Sequence, residues 1–95
     1  MPEMRFFIRW PDGTSEACYS PSLVVKDYFS PGQSYPLPEF VRRSRTALDI
    51  AAERVKAKYG FRCSRAIAQL ARIESGAVSF AEIPDARVIV DAFEE

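Results

Sequence analysis

The chain has 95 residues, 47% of them hydrophobic and 27% charged, and its thirteen basic residues balance its thirteen acidic ones. This composition predicts one folded domain over residues 1–95 and excludes a disordered or repetitive chain. Its apolar runs are far shorter than the roughly 18 to 20 residues of a membrane span, its first residues lack a secretory signal, and its two cysteines form no disulfide framework. We therefore expect a protein of the cytoplasm, with reduced thiols, that binds no membrane.

The first segment predicts a β-hairpin. Over residues 4–10 a large apolar side chain recurs at every second position, as in a strand with one buried face. The Pro-Asp-Gly sequence at residues 11–13 predicts a turn into a second strand over residues 14–19. A two-residue Asp-Gly loop would place Ile8 opposite Ala17. That loop requires an amide hydrogen that proline lacks, so a bulged type I turn is an open alternative.

Three helices are predicted in the middle of the chain. A short helix over residues 21–28 follows a serine suited to the N-cap, and irregular chain continues to residue 37. The strongest signal covers residues 38–59 and ends before Gly60, a typical C-cap residue. Its apolar stripe consists of Phe40, Val41, Leu48, Ala51, Val55 and Tyr59. A third helix is expected to begin after Ser64, its N-cap, to run to about Ser75, and to bury Ile67, Leu70 and either Ile73 or Ala71.

The last segment predicts a third strand over residues 87–93, with Val88 and Val90 on one face. We expect this strand to pair beside the first. The predicted fold is therefore an α+β two-layer domain with the order β-β-α-α-α-β, a three-stranded sheet of order 2-1-3, and three helices on one face of that sheet.

This layout predicts an interaction surface on the other face of the sheet. If Val88 and Val90 face the helices, then Phe7, Ile89 and Phe93 point away from them. An apolar patch with a charged rim is typical of a surface that binds a protein partner or a second copy of the chain. The alternative is that the short helix or a chain terminus covers this face.

A second candidate surface is basic. Nine of the twelve charged residues from Glu39 to Arg72 are cationic, and Arg42 and Arg45 lie on one exposed side of helix 38–59. Such cations can neutralise phosphates of nucleic acid. Against this reading, the net charge is zero and the helix contains acidic residues four positions from arginines, so an ordinary solvated helix face is the simpler interpretation.

Catalysis has few candidate residues. The chain has no histidine, no glycine-rich phosphate loop and no nucleophile elbow, so we expect no catalytic residues, no metal and no cofactor. Cys63 is the single candidate, because a position just before a helix and between Arg62 and Arg65 would favour its thiolate. A small buried hydrophobic residue is the simpler interpretation of Cys63, and also of Cys18.

Several segments resemble one known family. They are residues 9–13 (RWPDG), 18–29 (CYSPSLVVKDYF), 40–48 (FVRRSRTAL), 58–61 (KYGF) and 63–66 (CSRA). They are similar to a small bacterial family of nitrogen-starvation-response proteins, and the similarity covers nearly the whole chain. Members of that family are typically encoded beside a nitrilase-like enzyme, an acetyltransferase-like protein and a radical-enzyme homologue. The resemblance implies a role in nitrogen metabolism as an accessory to a neighbouring enzyme, and it implies no site residues.

Two functions are therefore compatible with the sequence. The first is a non-catalytic accessory protein that binds a partner protein, or itself, through the open sheet face. The second is a regulator that binds nucleic acid or a small anion through helix 38–59. The first agrees better with the neutral charge, and we expect a protein partner or a homo-oligomer, such as a homodimer, rather than nucleic acid.

Overall fold

The structure, a computed structural model, describes residues 2–95. Its strands are β1 (Met4–Arg9), β2 (Ser15–Ser20), β3 (Gln33–Pro36) and β4 (Arg87–Glu94), and its α-helices are α1 (Leu37–Tyr59) and α2 (Ser64–Val78), with a 3₁₀ helix at Leu23–Asp27. The four strands form one sheet in the order β2-β1-β4-β3, and every neighbouring pair is antiparallel. The fold is α+β.

The predicted three-stranded sheet with three helices is therefore wrong, although the last strand does lie beside the first. The missing strand is β3, whose four residues Gln-Ser-Tyr-Pro show no alternation of apolar and polar side chains. It is defined by its pairing with β4, where Tyr35 lies opposite Val88. The predicted short helix is one 3₁₀ segment, and Ser22 rather than Ser20 caps it by accepting a hydrogen bond from the amide of Val24.

The hairpin adopts the bulged type I turn, not the two-residue loop. The amide of Gly13 donates to the carbonyl of Trp10 at 2.8 Å, and Gly13 has a φ of 89°, which favours glycine. This turn sets Ile8 opposite Glu16 and Phe7 opposite Ala17. The register follows from proline, which has no amide hydrogen to close the tighter loop.

Helix α1 agrees closely with its sequence signals. Pro38 and Glu39 lie in its first turn, and Gly60 ends it in the left-handed conformation, with its amide bonded to the carbonyl of Lys56. The predicted apolar stripe is buried at Phe40, Leu48, Ala51 and Val55 and partly buried at Val41, but Tyr59 is 53% exposed. The prediction fails at Tyr59 because the last turn of α1 extends beyond the core.

Helix α2 buries part of the predicted face. Ile73 is fully buried and Leu70 is partly buried against the core, as predicted, but Ile67 is 49% exposed. The other buried residues of α2 are Ala66, Gln69 and Ala77. Small residues bring this face close to its neighbours: a Cβ added at Gly76 would lie 3.0 Å from the Trp10 ring. The prediction fails at Ile67 because the buried side of α2 also includes the small residues Ala66 and Ala77, which lie on the side that packs closest to its neighbours.

The core lies between the sheet and the helices. Trp10 stacks on Phe80 with ring centroids 5.6 Å apart and meets Phe40 edge-on at 5.9 Å. Phe29, which follows the 3₁₀ helix, contacts the rings of Phe6, Phe40 and Tyr35. These contacts connect the hairpin, the 3₁₀ helix, β3 and both α-helices into one hydrophobic cluster.

The side chain of Gln69 covers part of the sheet edge formed by β2. Its Oε1 accepts a hydrogen bond from the backbone amide of Tyr19 at 3.0 Å, and Gln69 is only 4% exposed. An edge strand presents unpaired amides that can pair with another chain. Helix α2 therefore protects this part of the sheet edge.

Candidate functional site: the open sheet face

No helix among residues 2–95 packs on the second face of the sheet. On the helix side Phe6, Ile8 and Cys18 are fully buried, whereas Phe7 on the opposite side is half-buried and Ala17 is exposed. We call this second side the open face and define its apolar centre as Phe7, Ala17, Ile89 and Ala92. Ala17 and Ala92 lie opposite Phe7 on the two neighbouring strands, and Ile89 lies opposite Arg9.

The register places two of the three predicted patch residues on the open face. Phe7 and Ile89 lie there on adjacent strands, within the diagonal distance that large side chains can bridge. Phe93 does not: it lies opposite Phe6 and packs against the core. The expectation that Phe7, Ile89 and Phe93 share one face is corrected accordingly.

A β-bulge in β4 causes this difference. Ile8 pairs with Val90 but Phe7 pairs with Ala92, so Asp91 is an extra residue between them. A bulge shifts the alternation by one residue, which moves Phe93 to the helix side and Ala92 to the open face. Simple alternation along residues 87–93 could not show this, because a bulge depends on the partner strand.

Charged side chains form the rim of the open face, and two of its three arginines are in ion pairs. The Nε of Arg5 donates to Glu94 at 2.8 Å, and its guanidinium lies 5.6 Å from the centroid of the Phe7 ring. Arg9 pairs with Asp91 at 3.1 Å. Arg87 donates to the hydroxyl of Ser34 at 2.9 Å. The face thus combines an apolar centre with a rim that carries both signs of charge, the arrangement found in many protein interfaces.

The arginines of the predicted basic surface are also paired. Arg42 and Arg43 both bind the carboxylate of Glu39, and Arg45 reaches across to Glu74 on α2 at 2.6 Å. The two hydrogen bonds from these arginines lower the pKa of Glu39, so its carboxylate stays charged. Arg42 and Arg45 therefore lie on α1 as predicted, but each already has an anionic partner within the fold.

The two cysteines occupy different environments. Cys18 is fully buried, and burial raises the pKa of its thiol well above the usual range, which opposes thiolate formation. Cys63 is half-buried at the N-cap of α2 and lines a cavity of about 170 Å³ with Glu3, Tyr19 and Tyr59. Neither cysteine is in a disulfide.

The structure also contains an apolar groove that the sequence analysis did not predict. Its volume is about 780 Å³, and it lies between the start of α1, the end of α2 and the loop that follows. Its lining residues are Pro36, Leu37, Pro38, Val41, Arg45, Glu74, Ala77, Val78, Ala81, Ile83, Asp85 and Ala86. The predicted helix ends three residues before Val78, so the sequence analysis left this residue outside α2. In the structure Val78 is 74% exposed and lines the groove.

Residues 2–95 contain neither a membrane-spanning helix nor a cluster of metal-binding side chains. No helix there is long and apolar enough to cross a membrane. No group of three or more cysteine, aspartate or glutamate side chains is placed to hold a metal ion.

Comparison with known proteins gives one match. No curated protein and no solved structure matches the chain significantly. The sequence model of the family described as nitrogen starvation-induced protein NitG matches residues 5–93, which covers both α-helices and nearly the whole sheet. The chain therefore belongs to the NitG family of nitrogen starvation-induced proteins.

Proposed function

We propose that this protein is a non-catalytic accessory of nitrogen metabolism in the cytoplasm, and that it binds a partner enzyme, or a second copy of itself, through the open face. The family match supports the link to nitrogen starvation. A nitrilase-like enzyme encoded in the same gene cluster is the partner that the resemblance suggests. The observation that carries the proposal is the open face itself, a full side of a four-stranded sheet that none of the described helices covers.

The composition of the open face fits a protein partner better than a small molecule. Its apolar centre is continuous across three strands, from Ala17 through Phe7 to Ala92. Apolar surfaces with a mixed charged rim bind other proteins, whereas small ligands prefer concave sites. The rim carries charges of both signs, so a partner with complementary charges would be held in one orientation.

The alternative of a regulator that binds nucleic acid or a small anion through helix 38–59 has less support. Such a function needs cations that are available to phosphates. Arg42 and Arg45 are each paired with a carboxylate of this chain, and releasing them would cost those contacts.

Substitution of Phe7 tests the proposal. Phe7→Glu places a charge at the centre of the open face, and we expect it to abolish partner binding or self-association while the fold is retained. Affinity purification from nitrogen-starved cells and light scattering after gel filtration measure the two outcomes. Ala71→Glu is the matched control, since it adds the same charge at an exposed position on α2, in the other layer.

The result that would overturn the proposal is a folded Phe7→Glu protein with unchanged partners and unchanged oligomeric state. Circular dichroism and thermal unfolding establish that the variant is folded. Ile89→Glu provides an independent second substitution on the same face.

A further inference from the structure

The groove between α1 and α2 has an apolar lining and an acidic rim. Val78 and Ile83 expose 74% and 47% of their surface there, so the groove presents apolar area that the fold leaves in contact with water. Asp85 lines the groove and Glu82 lies in the same loop. Neither carboxylate forms an ion pair with residues 2–95, whereas Glu74 is neutralised by Arg45.

The opposite end of the helical layer exposes aromatic side chains and is surrounded by positive rather than negative charge. We call this end the tip and define it as Tyr59 and Phe61, the aromatic residues on either side of the glycine that ends α1. Phe61 is 68% exposed and Tyr59 is 53% exposed. Tyr59 is the last residue of α1 and Phe61 lies in the connection to α2, so both are at the end of α1 opposite the groove. The 23 residues of α1 span about 34 Å.

The charge around the tip is positive. Arg54, Lys56 and Lys58 lie in the last two turns of α1, and none of them forms an ion pair within the described residues. The ammonium of Lys58 lies 5.5 Å from the ring centroid of Tyr59. The unpaired cations of the helical layer are thus beside an exposed apolar end, and the unpaired anions are beside an exposed apolar groove.

We propose that the groove binds the tip of a second copy of this chain, which gives head-to-tail self-association. The Phe61 ring enters the groove against Val78 and Ile83, and the Tyr59 ring packs beside it. Lys56 and Lys58 of one copy then approach Glu82 and Asp85 of the next. This contact is separate from the open face, because it uses only the two ends of the helical layer.

The proposed contact is small and open-ended. Aromatic side chains bury roughly 150 to 250 Å² each, so an interface built on two of them falls near the weak end of specific interfaces, below about 1,200 Å² in total. A heterologous contact between two different surfaces produces rings or linear chains rather than a closed dimer. We therefore expect weak, reversible association that increases with protein concentration.

Two single substitutions and their mixture test the proposal, all in the Phe7→Glu background so that the open face does not contribute. Phe61→Asp removes the tip and leaves the groove intact, and Val78→Asp does the reverse. Sedimentation velocity should show that each variant alone has lost association, with an apparent dissociation constant raised at least about tenfold. An equimolar mixture should recover a heterodimer, because each variant keeps the surface that the other lacks.

Salt and a matched control complete the experiment. Raising the ionic strength from about 0.01 M to 1 M shortens the Debye length from about 30 Å to 3 Å and should weaken association of the parent protein. Ala71→Asp, an exposed position midway along α2, should associate like the parent. If Val78→Asp is poorly folded, Ile83→Asp replaces it, since Ile83 is exposed and lies outside the helices.

The outcomes separate this proposal from that of the open face. A mixture that stays monomeric, or single variants that associate like their parent, would overturn head-to-tail association. Neither result would affect the open-face proposal. A parent protein that does not associate at any accessible concentration would do the same. Conversely, partner binding that survives Phe7→Glu refutes the open-face proposal but has no effect on the recovery seen in the mixture.

Discussion

At the scale of single residues, Trp10 connects the hairpin to both helices. It is 6% exposed, stacks on Phe80, meets Phe40 edge-on, and donates its indole hydrogen to Glu16 at 3.0 Å. The ring is therefore held on several sides, and it requires a residue without a side chain where α2 passes over it. Gly76 is that residue, and its lack of a Cβ rather than its backbone conformation is what matters.

Gly76→Ala tests this interpretation. In an exposed helix the change would stabilise the protein by up to about 1 kcal/mol, because alanine favours helix more than glycine does. Here the new methyl group would lie 3.0 Å from one ring atom of Trp10 and 3.2 Å from the next. We expect overpacking to dominate and to lower the free energy of unfolding by about 1 to 3 kcal/mol in urea titrations. Ser75→Ala on the same turn is the control, and a Gly76→Ala protein as stable as the parent would show that the ring can move.

At the scale of elements, the sequence predicts those whose signal is local. Helix α1 has an apolar stripe, acidic and basic residues at the appropriate ends and Gly60 as its C-cap, so residues 38–59 were found almost to their true limits. Strand β3 has no such local pattern. It is a strand because β4 offers a free edge, and its four residues end at a proline that cannot donate a hydrogen bond.

The candidate site is predicted less completely than the fold, because part of it depends on how two strands pair and not on the pattern within one segment. Alternation in β1 identified Phe7, and alternation in the first half of β4 identified Ile89. The assignment fails after Asp91, because the bulge is a property of two paired strands and not of one segment. The groove combines the start of α1, the end of α2 and a loop, and no spacing along one segment indicates that these will meet.

The bulge leads to a prediction about the two phenylalanines of the central strands. Phe93 packs against the core and Phe7 does not, although both are half-buried. We expect Phe93→Glu to lower the free energy of unfolding by about 2 kcal/mol or more, because a charge replaces a ring on the helix side. Phe7→Glu should cost about 1 kcal/mol or less, the range of strand preferences on an exposed surface. Chemical denaturation of both variants measures this difference, and equal losses would contradict the assignment of the two residues to opposite faces.

At the scale of the whole molecule, folding largely cancels the uneven distribution of charge along the sequence. Acidic residues near the end of the chain pair with cations near its beginning, as in Arg5 with Glu94 and Lys26 with Glu95. Arg42, Arg43 and Arg45 of α1 pair with Glu39 and with Glu74. Along the helical layer of a molecule about 42 Å long, what remains within residues 2–95 is unpaired cations near the tip (Arg54, Lys56 and Lys58) and unpaired anions beside the groove (Glu82 and Asp85).

This polarity argues against nucleic-acid binding and gives the last prediction. A protein that binds the phosphate backbone loses affinity steeply as salt rises, because its cations displace condensed counterions. We expect no such salt-dependent binding to duplex DNA or RNA in fluorescence anisotropy, since the remaining cations are few and lie at one end. A Glu39→Gln, Glu74→Gln variant is the positive control. It leaves Arg42, Arg43 and Arg45 without their carboxylates and should show weak, salt-sensitive binding.

The comparison between the two proteins decides the question. One outcome is that the parent binds nucleic acid as strongly as the variant and loses this affinity when Arg42 and Arg45 are both replaced by alanine. The intramolecular pairs would then not restrain these arginines, and the regulator function would be the better interpretation. If only the variant binds, the carboxylates of Glu39 and Glu74 are what keep α1 from acting as a polycation. In that case these carboxylates preserve a neutral surface on the N-terminal part of α1.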